Sequence, residues 1–433
     1  MSVMTAVPAE RLLFVDGGTA SALDLAGHIA NHGPLAIPVR DDPSWTAAMF
    51  RAVAESGLLG RGGAAFPAAT KWDAVRGDSR RPVVVVNAME GEPASDKDRV
   101  LLAYAPHLVL DGAEVAAAVI GASEVAICVP DDNDTGASSM EAAIAHRRQA
   151  GMAGRRISVH RPPARYVTGE ESALVGWLNR RPALPMLRID KSVPLMVARR
   201  RALVHNAETL SQIALIARHG PEWFRRLGTA EAPGSTLVTV TGAVRSPGVL
   251  EVELGTPVAE ILERAGVDIE LSAVLLGGYG GAWLDASRIA TPYSPGPLAG
   301  AGATHGVGVV VALPATSCGI AETARVTRFM AGESAGQCGP CVFGLPAIAG
   351  DLERLSAGRA DAEVLTRIAN RSATVEGRGG CRHPDGVVRL VRSALDVFAA
   401  DAIGHAQGRP CPGHDLPTVL TFPRSPRRGR GAS

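Results

Sequence analysis

Residues 81–99 read RPVVVVNAMEGEPASDKDR, and this stretch decides the class of fold. Its four consecutive valines form a short apolar, β-branched run of the kind that is buried on both faces of a parallel sheet. The run ends at Asn87, and an acidic loop follows. Because open α/β sheets bind ligands beyond the carboxyl ends of their strands, this loop is a candidate binding site. The alternative is a solvated loop whose carboxylates pair with Lys97 and Arg99.

The segments around this strand alternate between helix and strand patterns. The spacing of apolar residues predicts helices over 44–57, 65–75 and 107–120 and a second strand over 124–129. Ser44 is the expected N-cap of the first helix. We therefore predict an α/β domain with a parallel sheet over residues 46–232, preceded by an N-terminal segment over 1–45.

The pattern changes after residue 232. Residues 235–242 alternate between apolar and polar side chains, and 249–254 form a second such strand after a turn, which predicts a hairpin in a small module of strands and helix over 233–313. Helical periodicity then predicts a bundle over 314–402 that carries most of the cysteines. Residues 403–433 end in a basic segment rich in proline and glycine, and we expect a flexible tail there.

Composition excludes several classes of protein. The 433 residues are 46% hydrophobic and carry a formal charge of +1, which excludes a disordered polyelectrolyte. Aromatic residues make up only 4%, so a nucleic-acid groove with stacking rings is not expected. No charge-free run is long enough to span a bilayer and no signal peptide is evident, so we expect a cytoplasmic protein without membrane insertion. Six cysteines are too few for a disulfide scaffold, and four of them lie between 318 and 381, which indicates a metal or redox site.

Three further segments contain candidate binding residues. GRGGAAFP at 60–67 places glycines directly before a helix, where backbone N–H groups and the helix dipole favour an anion, although a plain glycine turn is the alternative. YVTGEESAL at 166–174 and HNAETL at 205–210 both resemble helix starts with acidic first turns, and Asn206 is the expected N-cap of the second. Capping alone would explain both.

Taken together, these segments resemble the flavin- and NADH-binding subunit of respiratory complex I and its relatives in NAD-linked hydrogenases and formate dehydrogenases. That family carries GRGGAGFP…KW, NADEGEP…KDR, Y…GEE(T/S)AL and NNVETL. This chain carries GRGGAAFP…KW, NAMEGEP…KDR, YVTGEESAL and HNAETL, and the resemblance spans about residues 45–400. It implies an FMN- and NADH-binding α/β domain, a ubiquitin-like β-grasp domain of the SLBB type and a C-terminal helical iron–sulfur domain.

The resemblance also implies which residues bind the cofactors. Glycines and Lys71 suit the flavin phosphate, and the ring of Phe66 can stack on the nucleotide. Met89 departs from the family, which has aspartate there, and His205 replaces an asparagine. The implied FMN- and NADH-binding residues are Gly60, Arg61, Gly62, Gly63, Phe66, Lys71, Asn87, Glu90, Glu92, Gly169, Glu170, Glu171, Asn206 and Thr209.

The cysteines depart from the family pattern most. The family holds a [4Fe–4S] cluster with ESCGxCxPC and a fourth cysteine about forty residues later, because four thiolates complete the cluster. Here 333–341 read ESAGQCGPC, so alanine replaces the first ligand. The predicted metal ligands are Cys338, Cys341 and Cys381, holding a [4Fe–4S] or incomplete cluster with Cys318 or His383 as a substitute ligand. A zinc site of the three cysteines and His383 is the alternative.

The function that the resemblance implies is an FMN-dependent NADH oxidoreductase. Hydride passes from NADH to the flavin, and electrons leave singly to an iron–sulfur acceptor in a larger complex. No catalytic acid or base is required. Other redox subunits, either iron–sulfur or thioredoxin-like ferredoxin proteins, are the expected partners, and they would hold the chain at the periphery of a membrane. The alternative is a non-catalytic, degenerate docking protein, favoured by Met89 and Ala335.

Overall fold

A computed structural model describes residues 11–423 apart from 14, 17, 18, 21, 39–41, 78, 79, 153, 189, 191 and 192. The described chain forms an α/β domain, a second sheet domain and a helical domain, in the predicted order. The elements of the first part are β1 (Val15–Asp16), β2 (Thr19–Ala20), α1 (Leu25–His32), α2 (Pro43–Ser56), α3 (Ala68–Val75), β3 (Val83–Asn87), α4 (Lys97–Tyr104), α5 (Pro106–Ile120), β4 (Glu124–Cys128), α6 (Asp134–Gln149), β5 (Arg156–His160), α7 (Glu171–Leu178), β6 (Met196–Val197), β7 (Arg200–Asn206) and α8 (Ala207–Phe224).

The first domain is built on a five-stranded sheet in the order β5-β4-β3-β7-β6. Its neighbours run parallel except for the antiparallel pair β6 and β7. Val84 and Val86 of β3 pack into the core that contains α2, α5 and α8, whereas Val83 and Val85 pack into a second cluster with Leu174 of α7. The valine run is therefore buried on both faces, as its sequence predicts.

Two local predictions in this domain need correction. Helix α2 starts at Pro43, and its N-cap is Asp42 rather than Ser44: the Asp42 side chain accepts hydrogen bonds from the backbone N–H groups of Ser44 and Trp45. Proline suits the first helical position because its missing N–H would have no partner there. The loop after β3 is also shorter than its charged sequence indicates, since α4 already begins at Lys97.

The second domain is a mixed five-stranded sheet in the order β11-β10-β12-β8-β9. Strands β8 and β9 form the predicted antiparallel hairpin, and β12 pairs with β8 in parallel. This mixed sheet packed against a helix agrees with the expected β-grasp domain. Its elements are β8 (Ser235–Gly242), β9 (Gly248–Glu253), α9 (Val258–Arg264), β10 (Leu271–Leu276), β11 (Ala282–Asp285), α10 (Pro295–Gly300) and β12 (Val309–Pro314).

The third domain consists of α11 (Gly319–Gly332), α12 (Leu345–Ser356), α13 (Val364–Val375), α14 (His383–Val397) and α15 (Ala399–Ala406). A π-helical turn, Pro340–Gly344, precedes α12. The predicted flexible tail over 403–433 starts too early: α15 continues to Ala406, and the chain after it packs beside α11, where Leu420 is buried and Thr418 donates to Glu322. Residues 424–433 lie outside the described residues.

Among the described residues no single helix is both long enough and apolar enough to cross a bilayer. Helices α4 and α5 reach that length and apolarity only as a pair, and the two are bent by 95° at their junction.

Candidate functional site

Asn87 and Asn206 bring the four candidate segments together. They end the adjacent parallel strands β3 and β7 and stand opposite each other in register. The Asn206 side-chain amide donates to the Asn87 carbonyl at 3.2 Å, and the Asn87 amide donates to the Gly169 carbonyl at 2.9 Å. A Cβ added to Gly62 would lie 3.4 Å from the Asn206 Cβ. The glycine loop, the acidic loop, the GEE loop and the start of α8 therefore meet at one edge of the sheet, where α/β proteins bind ligands.

The glycine loop is held in place through its backbone. Gly60 N–H donates to the Phe66 carbonyl at 2.9 Å, and Arg61 N–H donates to Thr209 Oγ1 at 2.9 Å. Gly63 has φ +101°, which a side chain rarely tolerates, and a Cβ there would approach Val307 of the second domain at 3.1 Å. Gly62 and Phe66 face solvent, and Phe66 is 45% exposed. An exposed ring beside an exposed glycine leaves room for a stacked ligand.

The Arg61 side chain does not face the open side of this loop. Its guanidinium is buried and donates to the carbonyls of Pro233 at 3.3 Å and Ser235 at 3.0 Å. Burial lowers the pKa of Arg61, and the carboxylate of Glu208 opposes that shift. Arg61 thus ties the glycine loop to the start of β8 through its side chain, and only its backbone belongs to the candidate site.

Lys71, on the helix α3 that follows the glycine loop, supplies a cation. Its ammonium pairs with the Glu171 carboxylate and donates to the Val204 carbonyl at 3.2 Å. The Lys71 and Glu171 side chains are 26% and 39% exposed, so both stay accessible to a ligand. A partly exposed ammonium that already has one carboxylate partner can also bind a phosphate.

The Glu90 carboxylate connects the acidic loop to the first turn of α4. Its carboxylate accepts from the backbone N–H groups of Asp98 at 3.0 Å and Arg99 at 2.8 Å, in the first turn of α4. Burial, and then the neighbouring charge of Asp98, raise the pKa of Glu90 to about 7. This carboxylate stabilises a helix start, so the alternative of a solvated acidic loop is wrong for Glu90.

Glu92 joins the acidic loop to the second domain. It accepts a hydrogen bond from Tyr279 N–H at 2.8 Å, and a Cβ on Gly278 would collide with its carboxylate at 2.5 Å. Burial raises the pKa of Glu92 to about 7, although hydrogen bonds to Tyr279 and Ala94 oppose the shift. Its position lies at a domain boundary that sequence spacing alone does not reveal.

Lys97 was not among the predicted site residues, yet its ammonium joins two of the segments, the acidic loop and HNAETL. It donates to Asp98 at 3.1 Å, to the Asn206 side-chain oxygen at 3.1 Å and to Glu208 at 2.9 Å. Burial alone would lower the pKa of Lys97, and the carboxylates of Asp98 and Glu208 more than offset this and raise it. The sequence feature that could have indicated a role for Lys97 is the scarcity of lysine, since only three of the 44 basic residues are lysines.

Glu170 caps α7 as the sequence indicates. Its carboxylate accepts from the backbone N–H groups of Ser172 at 2.9 Å and Ala173 at 3.0 Å. The departure at Met89 has a packing explanation, because its side chain is 3% exposed and lies in the hydrophobic cluster with Leu174. His205 is buried as well and accepts a hydrogen bond from the Trp72 indole at 3.0 Å, and burial lowers its pKa.

The predicted metal ligands lie together beyond the end of α11. Gly380 N–H donates to Cys338 Sγ at 3.4 Å, which brings the loop before Cys381 against Cys338. Burial, and then the charges of Cys381 and Cys338, raise the pKa of Cys341 to about 12. Hydrogen bonds to sulfur and partial burial are features of iron–sulfur ligands. The three thiols therefore fit a cluster site, with Cys341 in the π-helical turn.

Of the two substitute ligands proposed from sequence, His383 lies near the cysteine loops and Cys318 does not. His383 is buried; its Nε2 lies 2.8 Å from the Met330 carbonyl, and its Nδ1 has no hydrogen-bond partner among the described residues. Cys318 caps the opposite end of α11, a helix of 14 residues, which corresponds to a separation of roughly 20 Å along the axis. The prediction that Cys318 completes the cluster is therefore wrong.

The alternative zinc site of the three cysteines and His383 disagrees with the distances between their ligand atoms. Across the part of the chain that the structure describes, no three ligand atoms drawn from Cys338, Cys341, Cys381 and His383 lie within 4.8 Å of one another. Ligands of one tetrahedral zinc ion are only about 3.5–4 Å apart. A larger group such as an iron–sulfur cluster fits this spacing better.

The flavin-type loops and the cysteine loops adjoin each other. Tyr166 N–H, at the start of the GEE segment, donates to the Glu333 carboxylate at 3.0 Å, and Glu333 opens the ESAGQCGPC segment. Burial raises the pKa of Cys381, and the charge of Glu170 adds to that shift. The two candidate sites are thus neighbours in one molecule.

Comparison with known proteins agrees with this geometry. Family models match three parts of the chain: the Nuo51 FMN-binding domain over residues 53–215, the SLBB domain over 237–266 and the NADH-ubiquinone oxidoreductase-F iron-sulfur binding region over 321–405. The chain is 31% identical over 376 residues to the NADH-quinone oxidoreductase F 2 subunit of Rhizobium meliloti, covering 84% of this chain and 89% of that protein. It is 30% identical to the NADH-quinone oxidoreductase F subunit of Streptomyces coelicolor, covering 83% of both.

A solved structure shares the fold. A chain of the NAD+-reducing [NiFe]-hydrogenase in the H2-reduced state superposes with a TM-score of 0.79 at 31% identity. The match covers 85% of the present chain, which spans 65% of the hydrogenase chain.

Proposed function

Because this chain belongs to the family of NADH-quinone oxidoreductase F subunits, we propose that it oxidises NADH at a bound FMN and passes the electrons to an iron–sulfur cluster. The observation that carries the proposal is the meeting of Gly62, Asn87, Gly169 and Asn206 at one sheet edge, beside the cysteine loops. Bound FMN supplies the chemistry of accepting a hydride and releasing single electrons, and the protein supplies binding and orientation.

The chain's own residues fit FMN. Gly62 and Gly63 lie shortly before α3, where backbone N–H groups suit a phosphate, and α3 carries Lys71, whose ammonium pairs with Glu171 of the GEE segment. Asn87 retains hydrogen-bonding capacity toward the alternating donors and acceptors of an isoalloxazine edge, since its amide nitrogen donates only to the Gly169 carbonyl. The Asn206 amide is fully used by Asn87, Asp98, Lys97 and Glu208 N–H, so it would hold Asn87 in place for the ring. The remaining proposed FMN residues are Gly60, Glu90, Gly169, Glu170 and Thr209.

NADH would occupy the exposed side of this site. The 45%-exposed ring of Phe66 offers a stacking surface, and the partly exposed Glu171 can accept hydrogen bonds from a ribose or an amide. Glu92, held by Tyr279, would fix the opposite wall. No proton-transferring residue is required of this chain, because bound FMN would supply the hydride-accepting chemistry and the residues named here would bind and orient the two cofactors.

The cluster would be held by Cys338, Cys341 and Cys381, with His383 as its fourth ligand. The support for His383 is its buried Nδ1, which has no hydrogen-bond partner in the described part of the chain, two residues after Cys381. Its Nε2–H is engaged by the Met330 carbonyl, which leaves the Nδ1 lone pair available. An iron–sulfur ligand set with histidine in place of cysteine has a higher reduction potential than an all-cysteine set.

The setting of the reaction is a multi-subunit assembly, as the names of the relatives indicate. The partner that takes the electrons is proposed to be an iron–sulfur or thioredoxin-like ferredoxin protein. Location in the cytoplasm stays a prediction. No observation favours the alternative of a non-catalytic docking protein: Met89 is explained by core packing, and His383 offers a replacement for the ligand lost at Ala335.

The proposal is tested by NADH oxidation with an artificial one-electron acceptor, using protein reconstituted with FMN, iron and sulfide. Substituting Asn87→Ala or Asn206→Ala is expected to lower kcat/KM at least tenfold, since each removes an orienting amide. Asn370→Ala, at an exposed position on α13, is the matched control and is expected to keep wild-type activity. A reconstituted protein without NADH-dependent turnover would overturn the proposal.

A further inference from the structure

Three ligand-type side chains meet far from the proposed cluster site. Cys318, His405 and Cys411 place one ligand atom each within 4.8 Å of the other two. Cys318 Sγ lies 3.6 Å from His405 Nε2, and both side chains are almost fully buried. They belong to the N-cap of α11, to α15 and to the segment after α15. Nothing in the electron route described above uses them.

The His405 ring is oriented as in a metal ligand. Its Nδ1 lies 3.0 Å from the Ser356 carbonyl and 3.2 Å from the Leu355 carbonyl. Because carbonyl oxygens only accept, Nδ1 carries the ring proton, and Nε2 presents its lone pair toward the two sulfurs. Metal-binding histidines are typically fixed by this kind of bond from the other ring nitrogen. In the present arrangement Nε2 accepts the Cys411 N–H at 3.1 Å, a bond that a metal would replace.

We propose that Cys318, His405, Cys411 and His414 form a structural zinc site. Tetrahedral zinc with ordinary Zn–S and Zn–N bonds separates a sulfur from a nitrogen ligand by about 3.6 Å. The separation of Cys318 Sγ and His405 Nε2 has this value. His414 follows Cys411 at a spacing common for paired zinc ligands, and its ring lies 6.3 Å from the His405 ring, centroid to centroid. Its Nδ1 contacts the Cys411 carbonyl at 2.9 Å, which leaves Nε2 for the metal. Of these four described residues, only the ligand atoms of Cys318, His405 and Cys411 already lie within 4.8 Å of one another, so the His414 ring would turn to bring Nε2 to the metal.

Zinc is the ion that this ligand set favours. Two thiolates and two imidazoles make a Cys₂His₂ set, and such closed tetrahedral sites are structural rather than catalytic. The backbone is already close enough for the site to form: a Cβ on Gly413 would lie 2.3 Å from the Thr316 carbonyl. The turn containing Cys411 and His414 therefore lies directly on the chain before α11.

The site would fasten the C-terminal segment to the helical domain. Beyond His414, Val419 N–H donates to Glu322 at 3.2 Å, Leu420 is buried and the Thr421 carbonyl accepts from the Tyr279 hydroxyl. Tyr279 in turn donates its N–H to Glu92 of the acidic loop. Zinc would thus stabilise a segment that supports one wall of the nucleotide site.

The experiment measures zinc and iron separately in the full-length protein. Protein freed of metal with a chelator and then given Zn²⁺ is expected to bind about one zinc per chain. In Cys411→Ser and His405→Gln the zinc content is expected to fall at least tenfold, while the iron content of reconstituted protein stays at its wild-type level. Cys128→Ala, at a buried cysteine of β4, is the matched control and is expected to retain zinc. His414→Gln is expected to weaken zinc binding at least tenfold.

A second measurement does not depend on recovery of the variants. Co²⁺ added to metal-free wild-type protein is expected to give thiolate-to-cobalt absorption, and zinc removal is expected to increase amide hydrogen exchange over 411–422 but not in β3. Failure of the wild-type protein to bind Zn²⁺ would overturn the proposal. So would mass spectrometry showing that Cys318 and Cys411 form a disulfide in the isolated protein. Retention of zinc by both Cys411→Ser and His405→Gln would have the same consequence.

Discussion

The ring of Tyr166 meets the ring of His383 edge-on, with centroids 5.4 Å apart and an interplanar angle of 69°. Tyr166 opens the GEE segment of the proposed FMN site, and His383 follows Cys381 of the proposed cluster site. The same tyrosine donates its backbone N–H to Glu333. The two redox sites are therefore aligned by direct contacts between their loops.

Substitution of Glu333 tests this alignment. Glu333→Ala removes the acceptor for Tyr166 N–H, so we expect electron transfer to the cluster to slow about tenfold while reduction of the flavin by NADH stays within about twofold. Stopped-flow absorption at flavin and cluster wavelengths separates the two steps. Glu376→Ala, which removes an exposed ion pair with Arg392 in the same domain, should change neither rate. Equal slowing of both steps would argue against an alignment role.

Lys71 is predicted to contribute charge to FMN binding. Lys71→Met removes the ammonium, and a charged hydrogen bond is worth about 1.5–3 kcal/mol, so the Kd for FMN should rise at least tenfold. Quenching of flavin fluorescence on titration of the cofactor-free protein gives the Kd. Arg76→Met, at the exposed C-cap of the same helix, should leave it unchanged. An unaltered Kd in Lys71→Met would place the phosphate elsewhere.

Gly63 is predicted to tolerate no side chain. At φ +101°, and with Val307 3.1 Å from the added Cβ, Gly63→Ala should lower the free energy of unfolding by about 1–3 kcal/mol and weaken FMN binding. Gly154→Ala is the control, because a Cβ there meets nothing within 4 Å. Urea denaturation measures the stability difference. Equal stability of the two variants would contradict the required backbone conformation.

Glu92 should make stability depend on pH. Its pKa is about 7 in the folded protein against 4.5 for the free side chain, so its protonated form is the stabilising one. That contribution is complete below pH 4.5 and is lost as the pH rises toward 7, by an amount on the order of 3 kcal/mol. Glu92→Gln stays neutral and can still accept from Tyr279 N–H. Relative to wild type it should therefore gain unfolding free energy between pH 4.5 and 7, and a constant difference across that range would contradict the shift.

Local sequence signals predicted much of this fold. The valine run of β3, the hairpin of β8 and β9 and the N-cap at Asn206 are all confirmed, because each depends on residues close in sequence. The contacts of Lys97 with Glu208 and of Glu92 with Tyr279 join residues 111 and 187 positions apart, and no local pattern reports such pairs. Helix α4 was missed because its charged first turn looks like a polar loop.

The same limit applies to the cysteines. Their clustering in sequence indicated a metal or redox site, and the family resemblance selected Cys338, Cys341 and Cys381, which lie near one another in the structure. Cys318 was one of two substitute ligands offered beside them, and this was wrong because α11 holds Cys318 at its far end, where His405 and Cys411 surround it. The individual cofactor-binding roles stay predictions until they are measured.

Anaerobic titration of the reconstituted protein with NADH, followed by visible absorption, tests the central claim most directly. We predict that the flavin bands bleach and that the cluster absorption then falls, with the end point at about 1.5 NADH per chain, because the flavin takes two electrons and the cluster takes one. A protein that binds FMN and iron but whose spectrum does not change on addition of NADH would contradict the account.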